Sequence, residues 1–437
     1  MPTPPIWHPF TQHGLGPEFP RIERAEGAML FTEDGREIVD AIASWWVTLH
    51  GHGHPRIAQA IARQAQQLEQ VIFAQFTHGP AEDLAQGLLA RAPQGLETVF
   101  FSDNGSTAVE VALKMAIGHW ARERQGRGRP LFAALEHAYH GDTFGAMAVG
   151  ERGVFTQEYA PLLFDVARLP FPYPGKEQET LKAWEDLLAQ QGERVAALIV
   201  EPLVLGAGGM LTYPPDVLAR LAATARRHGV PWIADEVMTG FGRTGSFFAV
   251  DQLQGLEPAG DPPMNHGLTP DLLCLSKGIT GGFLPLGATL ASGAVFQAFQ
   301  SPQRERMFFH GHSYTANPIA CAAALASLEV FSQEPVMERV QAIGQWHDEK
   351  LSALAGHPRV AAVRRVGVIA AVEFRAADGG YLHEMAPALS AYSLSRGVLL
   401  RPLGNVVYIL PPYCISHEQL NKAHDLIAES LELPAPR

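Results

Sequence analysis

The stretch TVFFSDNGSTAVEVALKMA, residues 98–116, says more about the fold than any other part of the sequence. Its apolar start is typical of a short buried strand, and the part from Thr107 onward has the residue pattern of a helix. The polar turn SDNGS joins the two directly. Thr107 and Glu110 have the spacing of a capping box, which predicts that the helix begins at Ser106 or Thr107.

The same alternation of apolar strand and helix continues to about residue 320. It predicts an α/β fold with a mainly parallel sheet covered by helices on both faces. Helical segments are predicted at residues 107–123 and 215–227. The candidate strands are residues 98–101, 131–135, 195–201, 231–235 and 271–275.

Beyond residue 320 the pattern changes to that of a smaller α+β domain. A helix rich in Ala and Leu is predicted at residues 319–331, and short strands near 366–374, 398–400 and 406–410. We therefore predict a large domain over residues 56–320 and a small domain over 321–437. Residues 1–55, with a hairpin around 32–36, are predicted to pack with the small domain. The stretches 125–130 and 254–270, rich in Gly and Pro, are predicted to be loops.

Composition excludes several classes of function. The net charge of -12, from 33 basic and 45 acidic residues, argues against nucleic acid as a partner. We find no apolar run of the roughly 20 residues that a membrane helix needs and no secretory signal, so we expect no membrane association and a cytoplasmic location. The three cysteines have apolar neighbours, and the 18 histidines show no metal-ligand spacing, so neither a disulfide framework nor a metal site is predicted.

Three segments carry residues suited to chemistry. The helix start at Gly105, Ser106 and Thr107 offers backbone N–H groups to a phosphate. PWIADEVMTGFGRTG, residues 231–245, ends an apolar strand with two carboxylates that point to opposite faces, so that only one can meet a given ligand. PDLLCLSKGITGG, residues 270–282, ends another strand with Lys277, whose pKa burial would lower. A phosphate site, a carboxylate and a lysine are the groups that pyridoxal 5'-phosphate requires.

These residues resemble the class III, fold-type I aminotransferases. The resemblance covers nearly the whole chain apart from residues 254–270. It implies the pyridoxal-phosphate-dependent transferase fold of type I and pyridoxal 5'-phosphate as the cofactor. The motifs are IWHPF, SWWVTLHGHGHP, FSDNGSTAVEVALKMA, YHGDTFGAM, VEPLVLGAGGM, ADEVMTGFGRTG, SKGITGG, NPIACAAALASL and RPLGNVVYILPPY.

The resemblance implies four roles around the cofactor ring. Lys277 would bind the cofactor's aldehyde covalently and then carry the proton between substrate and cofactor. Asp235 would pair with the pyridinium nitrogen. Tyr139 would stack on one face of the ring, with Val237 against the other.

The phosphate is implied to bind between two subunits. Gly105 and Ser106 would hold it from one subunit, and Ser313, in GHSYTANP, would reach it from the other. This implies a homodimer with shared active sites.

The motifs WHP, SWW and RPLGNVVYILPPY resemble the branch of the family that aminates 8-amino-7-oxononanoate in biotin biosynthesis. Trp45 and Trp46 would offer apolar faces to a long aliphatic chain, and Arg401 would clamp a distant carboxylate through two parallel hydrogen bonds. Arg243 resembles a family position near the substrate entrance, and Tyr408 is expected to line the pocket.

Two alternatives stay open at this point. One is another class III ω-aminotransferase, acting on an ω-amino acid, a diamine or a β-amino acid; the other is an aminomutase of glutamate-1-semialdehyde type. The amino donor implied by the resemblance is S-adenosyl-L-methionine or, in some lineages, lysine. Phe10 follows WHP where the family often has Tyr, so a hydroxyl near the substrate amine is missing and the donor is left open.

Overall fold

The computed structural model of the protein describes residues 5–123, 128–256, 268–376 and 380–433. Its strands, in chain order, are β1 (Ile22–Glu26), β2 (Met29–Thr32), β3 (Glu37–Asp40), β4 (Leu96–Ser102), β5 (Leu131–Leu135), β6 (Val166–Leu169), β7 (Val195–Val200), β8 (Val204–Leu205), β9 (Leu211–Thr212), β10 (Trp232–Asp235), β11 (Leu272–Leu275), β12 (Gly287–Ser292), β13 (Val360–Val366), β14 (Ile369–Phe374), β15 (Val398–Leu399) and β16 (Val406–Ile409).

The helices surround these strands. They are α1 (Ala43–Trp46), α2 (Pro55–Ala65), α3 (Gly79–Leu89), α4 (Gly105–Glu123), α5 (Phe144–Val149), α6 (Glu177–Gln191), α7 (Pro215–Arg227), α8 (Gly293–Phe299), α9 (Pro318–Gln333), α10 (Val336–Leu354), α11 (Met385–Ser395) and α12 (His417–Glu432). Among the described residues, none of the helices is long and apolar enough to cross a bilayer.

A seven-stranded sheet forms the centre of the part that the structure describes, in the order β4-β12-β11-β10-β7-β5-β6. Neighbouring strands from β11 to β6 run parallel, and β12 runs antiparallel to both β11 and β4. The predicted α/β class with a mainly parallel sheet is confirmed. The carboxyl ends of the parallel strands meet at one edge of the sheet, which is where ligands bind in such folds.

Burial on both faces explains why the central strands are apolar throughout. Every residue of β5 (LFAAL) and of β7 (VAALIV) is buried. Helices on both sides of a parallel sheet leave neither face to water, so each such strand reads as a continuous apolar run. Removing a side chain the size of leucine from water contributes about 2 kcal/mol.

The two ends of the chain share a second sheet. In it β15 lies parallel to β3, with Val39 opposite Val398, and β2 and β3 form the hairpin predicted around residues 32–36. A third sheet, β13-β14-β16, comes from the C-terminal part alone. The boundaries at residues 55 and 320 stay predictions.

The predicted elements match those found to within a few residues. The helix predicted at 215–227 has those bounds, and the one predicted at 319–331 is Pro318–Gln333. The loop predicted at 254–270 falls largely on residues 257–267, which lie outside the described residues, as do residues 125–127 of the other predicted loop.

Candidate active site

The tryptophan pair lies on an irregular turn rather than a regular helix. Ser44 and Trp46 have φ angles of 58° and 66°, in the left-handed region that non-glycine residues rarely adopt. The buried carboxylate of Asp40 holds this turn, because it accepts hydrogen bonds from the Ser44 N–H at 2.7 Å and from Nε2 of His52 at 2.8 Å. Such strain persists where surrounding contacts enforce it, and it is common at functional sites.

Lys277 lies two residues beyond the end of β11 and begins a short 3-10 turn. Its φ of 38° is strained, and its Nζ lies 5.2 Å from the centre of the Trp46 ring. Burial lowers the pKa of the Lys277 ammonium group, and nearby carboxylates, Asp235 foremost, oppose that shift. The turn approaches the tryptophan segment closely: a Cβ on Gly282, whose φ is 93°, would lie 2.8 Å from Cα of Thr48.

Asp235 ends β10, and its side chain is 4% exposed. Its Oδ2 lies 2.6 Å from Nδ1 of His140, and its Oδ1 accepts the backbone N–H of Val237 at 3.1 Å. His140 was missed by sequence reasoning, although it follows Tyr139 in the quoted motif YHGDTFGAM. An imidazole next to the residue assigned to ring stacking was the available signal.

Glu236 points away from Asp235, as the alternation of side chains along a strand predicts. Its carboxylate accepts the backbone N–H groups of Ala249 at 2.7 Å and Val250 at 2.8 Å. Burial raises the pKa of the Glu236 carboxyl to about 8. It therefore closes a loop, and Asp235 is the carboxylate that faces the site.

The start of α4 forms one wall of the site. Its first-turn N–H groups have no acceptors within the helix and lie at the positive end of the helix dipole. A Cβ on Gly105 would lie 2.6 Å from Cγ1 of Val237, so only glycine leaves the backbone accessible there. The Oγ of Ser106 accepts the Asp142 N–H at 3.2 Å, which leaves its own proton free to be donated to a ligand.

The predicted capping box was wrong. The helix begins at Gly105, and Asn104 caps it: its Oδ1 accepts the Thr107 N–H at 3.0 Å, while Oγ1 of Thr107 accepts the Asn104 N–H at 3.1 Å. Glu110 is one turn further along and accepts the N–H of Gly145 at 2.7 Å. The spacing on its own could not exclude Asn104 as the cap, because Asn and Thr are both common in that role.

Tyr139 separates two cavities, of about 670 Å³ and about 510 Å³, and lines both of them. Its backbone N–H is held at 2.9 Å by Oε1 of Glu201, whose Oε2 accepts the Gly206 N–H at 2.9 Å. Burial, with the neighbouring Asp142 carboxylate, raises the pKa of the Tyr139 hydroxyl. Burial raises the pKa of the Glu201 carboxyl to about 7. Glu201 is a second residue missed by sequence reasoning; its signal was a carboxylate directly after a wholly apolar strand.

The residues present fit pyridoxal phosphate. Among the described residues, the buried Nε2 of His140 has no hydrogen-bond partner. The space between Gly105 and Val237 is open only because glycine has no Cβ to fill it. An amine, a buried carboxylate and a helix N-terminus match the aldehyde, the ring nitrogen and the phosphate of the cofactor. The predicted residues that line the larger cavity together are Gly105, Ser106, Tyr139, Asp235, Val237, Lys277 and Trp46.

Two residues predicted to meet the substrate lie in the interior instead. Arg243 is 1% exposed, and its guanidinium donates to the carbonyl oxygens of Pro411 at 2.7 Å and of Trp46 and Thr48 at 3.3 Å. Three backbone carbonyls hold it in place, and its position near the substrate entrance stays a prediction. Tyr408 is also 1% exposed, and its hydroxyl accepts the indole N–H of Trp46 at 2.9 Å, so it supports the tryptophan from behind.

Arg401 and Trp45 lie at the rim of the site. Cζ of Arg401 is 4.2 Å from the centre of the Trp45 ring and 5.8 Å from that of Phe10. Its Nη2 donates to the hydroxyl of Tyr381 at 3.4 Å, and Tyr381 lines the smaller cavity. The structure thus brings Arg401 to the edge of that cavity, beside the aromatic residues expected to meet an aliphatic chain.

Ser313 is exposed and lies away from the residues that line the larger cavity. Its carbonyl oxygen accepts a hydrogen bond from Nε2 of Gln70 at 2.7 Å, which ties its loop to residues 69–78. Its predicted approach to the phosphate of another subunit stays a prediction.

Comparisons with known proteins agree with this geometry. A family model described as aminotransferase class-III matches residues 11–431. The chain is 48% identical to the adenosylmethionine-8-amino-7-oxononanoate aminotransferase of Synechococcus elongatus, over 99% of this chain and 100% of that protein. It is 40% identical to the enzyme of the same name from Nitratidesulfovibrio vulgaris, over 95% of this chain and 78% of that one.

Two solved structures are similar over nearly their full length. One is adenosylmethionine-8-amino-7-oxononanoate aminotransferase from Methanocaldococcus jannaschii, with a TM-score of 0.89, 34% identity and 97% of each chain covered. The other is a PLP-bound amine transaminase from an uncultivated Pseudomonas species, with a TM-score of 0.88, 30% identity and 98% of each chain covered. With a lysine and a buried carboxylate on one cavity and this match along almost its whole length, the chain belongs to the class III aminotransferases, the family that its motifs predict.

Proposed function

We propose that the protein transfers an amino group to 8-amino-7-oxononanoate, giving 7,8-diaminononanoate for biotin biosynthesis, with S-adenosyl-L-methionine as the first candidate donor and lysine as the second. The observation that carries the proposal is the arrangement of two cavities that share Tyr139: the Lys277 amine and the Asp235 carboxylate line the larger one, with Trp46 beside the amine, and Arg401 contacts Tyr381 on the wall of the smaller one. The names of the relatives support the choice of acceptor and donor.

Pyridoxal phosphate, when bound, supplies an aldehyde and an electron-withdrawing ring. Gly105 and Ser106 would hold its phosphate, Asp235 its ring nitrogen, and Tyr139 and Val237 the two faces of the ring. The short contact from His140 keeps the Asp235 carboxylate in place. The lowered pKa of Lys277 favours the neutral amine, which acts as nucleophile and as the base that takes a proton from the amine-bearing carbon of the donor.

Selection of the acceptor would fall to the tryptophan pair and Arg401. Trp46 presents its ring next to the lysine and is fixed by Tyr408 and Arg243. An aliphatic chain against these aromatic faces leaves its carboxylate for the Arg401 guanidinium, which suits a long keto acid. A diamine has no carboxylate for that cation to bind.

The proposed enzyme is a homodimer. Four exposed apolar side chains, Ile72, Phe76, Phe309 and Tyr314, support this, and we propose that they form one surface, because exposed apolar surface marks protein interfaces. The hydrogen bond from Gln70 to the Ser313 carbonyl ties the two loops of this surface together. We also propose a cytoplasmic location, since Cys274, Cys321 and Cys414 are all unpaired.

Incubation of the holoenzyme with 8-amino-7-oxononanoate and each candidate donor tests the proposal. We expect mass spectrometry to detect the diamine with one of the two donors. Turnover of an ω-amino acid, a diamine or a β-amino acid but not of this keto acid would contradict the proposed function. Conversion of the substrate without any donor would indicate the aminomutase.

Replacing Lys277 with Ala should abolish both turnover and the borohydride-reducible link between cofactor and protein, because Nζ is the attacking atom. Peptide mass mapping after borohydride reduction measures the second effect. Lys182→Ala is the matched control, since Lys182 is exposed on α6 and pairs with Asp186 one turn along the same helix. A reducible link that persists in Lys277→Ala would show that the assignment of Lys277 is wrong.

A further inference from the structure

Three aromatic side chains, Phe10, Trp45 and Tyr381, contact the guanidinium of Arg401, and Phe155 bridges two of them. We name these four side chains the aromatic rim. Ring centres are 5.6 Å apart for Phe10 and Trp45, 6.0 Å for Phe10 and Phe155, and 4.6 Å for Phe155 and Tyr381. The rings therefore form a continuous chain of edge-to-face contacts, a favourable geometry for aromatic pairs.

The aromatic rim restrains Arg401 through two kinds of contact. Trp45 and Phe10 lie against its planar cation, at 4.2 Å and 5.8 Å from Cζ to the ring centres. Tyr381 supplies a polar contact, because its hydroxyl accepts a hydrogen bond from Nη2 at 3.4 Å. These contacts restrict the rotamers of the arginine side chain before a ligand binds. Less conformational entropy is therefore lost when Arg401 binds a carboxylate.

The tyrosine hydroxyl has a second capacity. A phenol that accepts a hydrogen bond from a guanidinium still carries its own proton. It can donate that proton to a carboxylate bound at the same guanidinium. Phe155 and Tyr381 also line the smaller cavity, which shares Tyr139 with the larger cavity that holds Lys277.

We propose that Tyr381 is a specificity-determining residue, whose hydroxyl orients Arg401 and completes the hydrogen bonds to the terminal carboxylate of the acceptor. The inference rests on the proposed function in that the acceptor carries such a carboxylate. Tyr381 lies in AADGGYLHE, outside the motifs that identify the family. Its contact with Arg401, 20 residues later in the chain, comes from the tertiary structure.

The test compares Tyr381→Phe with the unaltered holoenzyme. We expect KM for 8-amino-7-oxononanoate to rise about tenfold with kcat nearly unchanged, because one hydrogen bond to a charged group is lost. KM for the methyl ester of the same acceptor should not change. Nonanoate, an unreactive carboxylate of the same length, should bind about tenfold more weakly by calorimetry.

Tyr392→Phe is the matched control. The hydroxyl of Tyr392, on α11, also contacts a charged side chain, because it donates to the exposed carboxylate of Glu429 on α12 at 2.8 Å. The variant should leave every one of these constants unchanged. Equal effects of Tyr381→Phe on acid and ester, or unchanged binding of nonanoate, would overturn the inference. Failure of the unaltered enzyme to aminate the keto acid would refute the proposed function instead, and nonanoate binding would still test Tyr381.

Discussion

At the scale of single residues, the contact between His140 and Asp235 determines how firmly the buried carboxylate is held. In His140→Ala, Asp235 keeps the Val237 N–H but loses its 2.6 Å partner. Losing a buried hydrogen bond to a charged group costs about 1.5–3 kcal/mol, so we expect kcat/KM to fall about 10- to 100-fold. A pH titration of the visible absorbance of bound cofactor should shift as well, because the ring nitrogen would be less firmly protonated.

His417→Ala, at the exposed start of α12, provides the comparison for that experiment and should behave like the unaltered enzyme. A purely structural role for His140 would lower the stability of the variant but leave the titration of the cofactor absorbance where it was. That result would contradict the role of His140 as a positioning residue.

At the scale of elements, a buried histidine pair joins α10 to α12. Nε2 of His347 donates to the carbonyl of Val368 at 3.0 Å, so its Nδ1 must accept from Nε2 of His424 at 2.8 Å. Burial lowers the pKa of His347 to about 3 and that of His424 to about 4. Both rings are therefore neutral in the folded protein, and protonation of His347 at Nδ1 would break the contact.

The sign of the pH dependence follows from these values. In the unfolded chain these two histidines bind protons near pH 6.5, whereas in the folded protein they do so only below about pH 4. Their contribution to the free energy of unfolding is therefore complete above about pH 6.5 and is lost as the pH falls. The free energy of unfolding should fall between about pH 7 and pH 5 in both proteins. We expect the fall to be about 2 kcal/mol smaller in His424→Gln than in the unaltered protein, because the variant lacks one of the two histidines. Urea unfolding at the two pH values measures this. Equal losses in both proteins would contradict it.

At the scale of the whole molecule, the proposed dimer interface is the exposed apolar surface of Ile72, Phe76, Phe309 and Tyr314. These side chains are 61%, 59%, 62% and 65% exposed. We expect Phe309→Asp to yield monomers in analytical ultracentrifugation and to lose most activity, because a charge in an apolar interface is costly to bury and Ser313 would no longer reach a neighbouring site.

Ile22→Asp adds the same charge at an exposed apolar position of β1, outside this surface. It should stay dimeric and active. A Phe309→Asp variant that sediments as a dimer with full activity would contradict the proposed interface, while leaving the chemistry assigned to Lys277 untouched.

The sequence by itself determined the fold class of this protein and predicted its reacting groups. Apolar runs such as residues 131–135 and 195–200 predict buried parallel strands. A strand is apolar at every position, rather than at alternate ones, only when both faces of its sheet are covered. Lys277 and Asp235 were predicted because Asp235 ends one such strand and Lys277 lies just beyond another, the carboxyl ends of parallel strands meet at one edge, and the family resemblance implies their roles. Those predictions need only local pattern and the topology that it implies.

Only the tertiary structure decided which side chains complete the site. His140 contacts Asp235 across 95 residues, Tyr408 supports Trp46 across 362, and Arg243 donates to the carbonyl of Pro411 across 168. Hydrogen bonds between elements depend on how helices and strands pack against each other. A sequence pattern indicates which face of a helix or strand is buried, but not which side chains of other elements that face contacts.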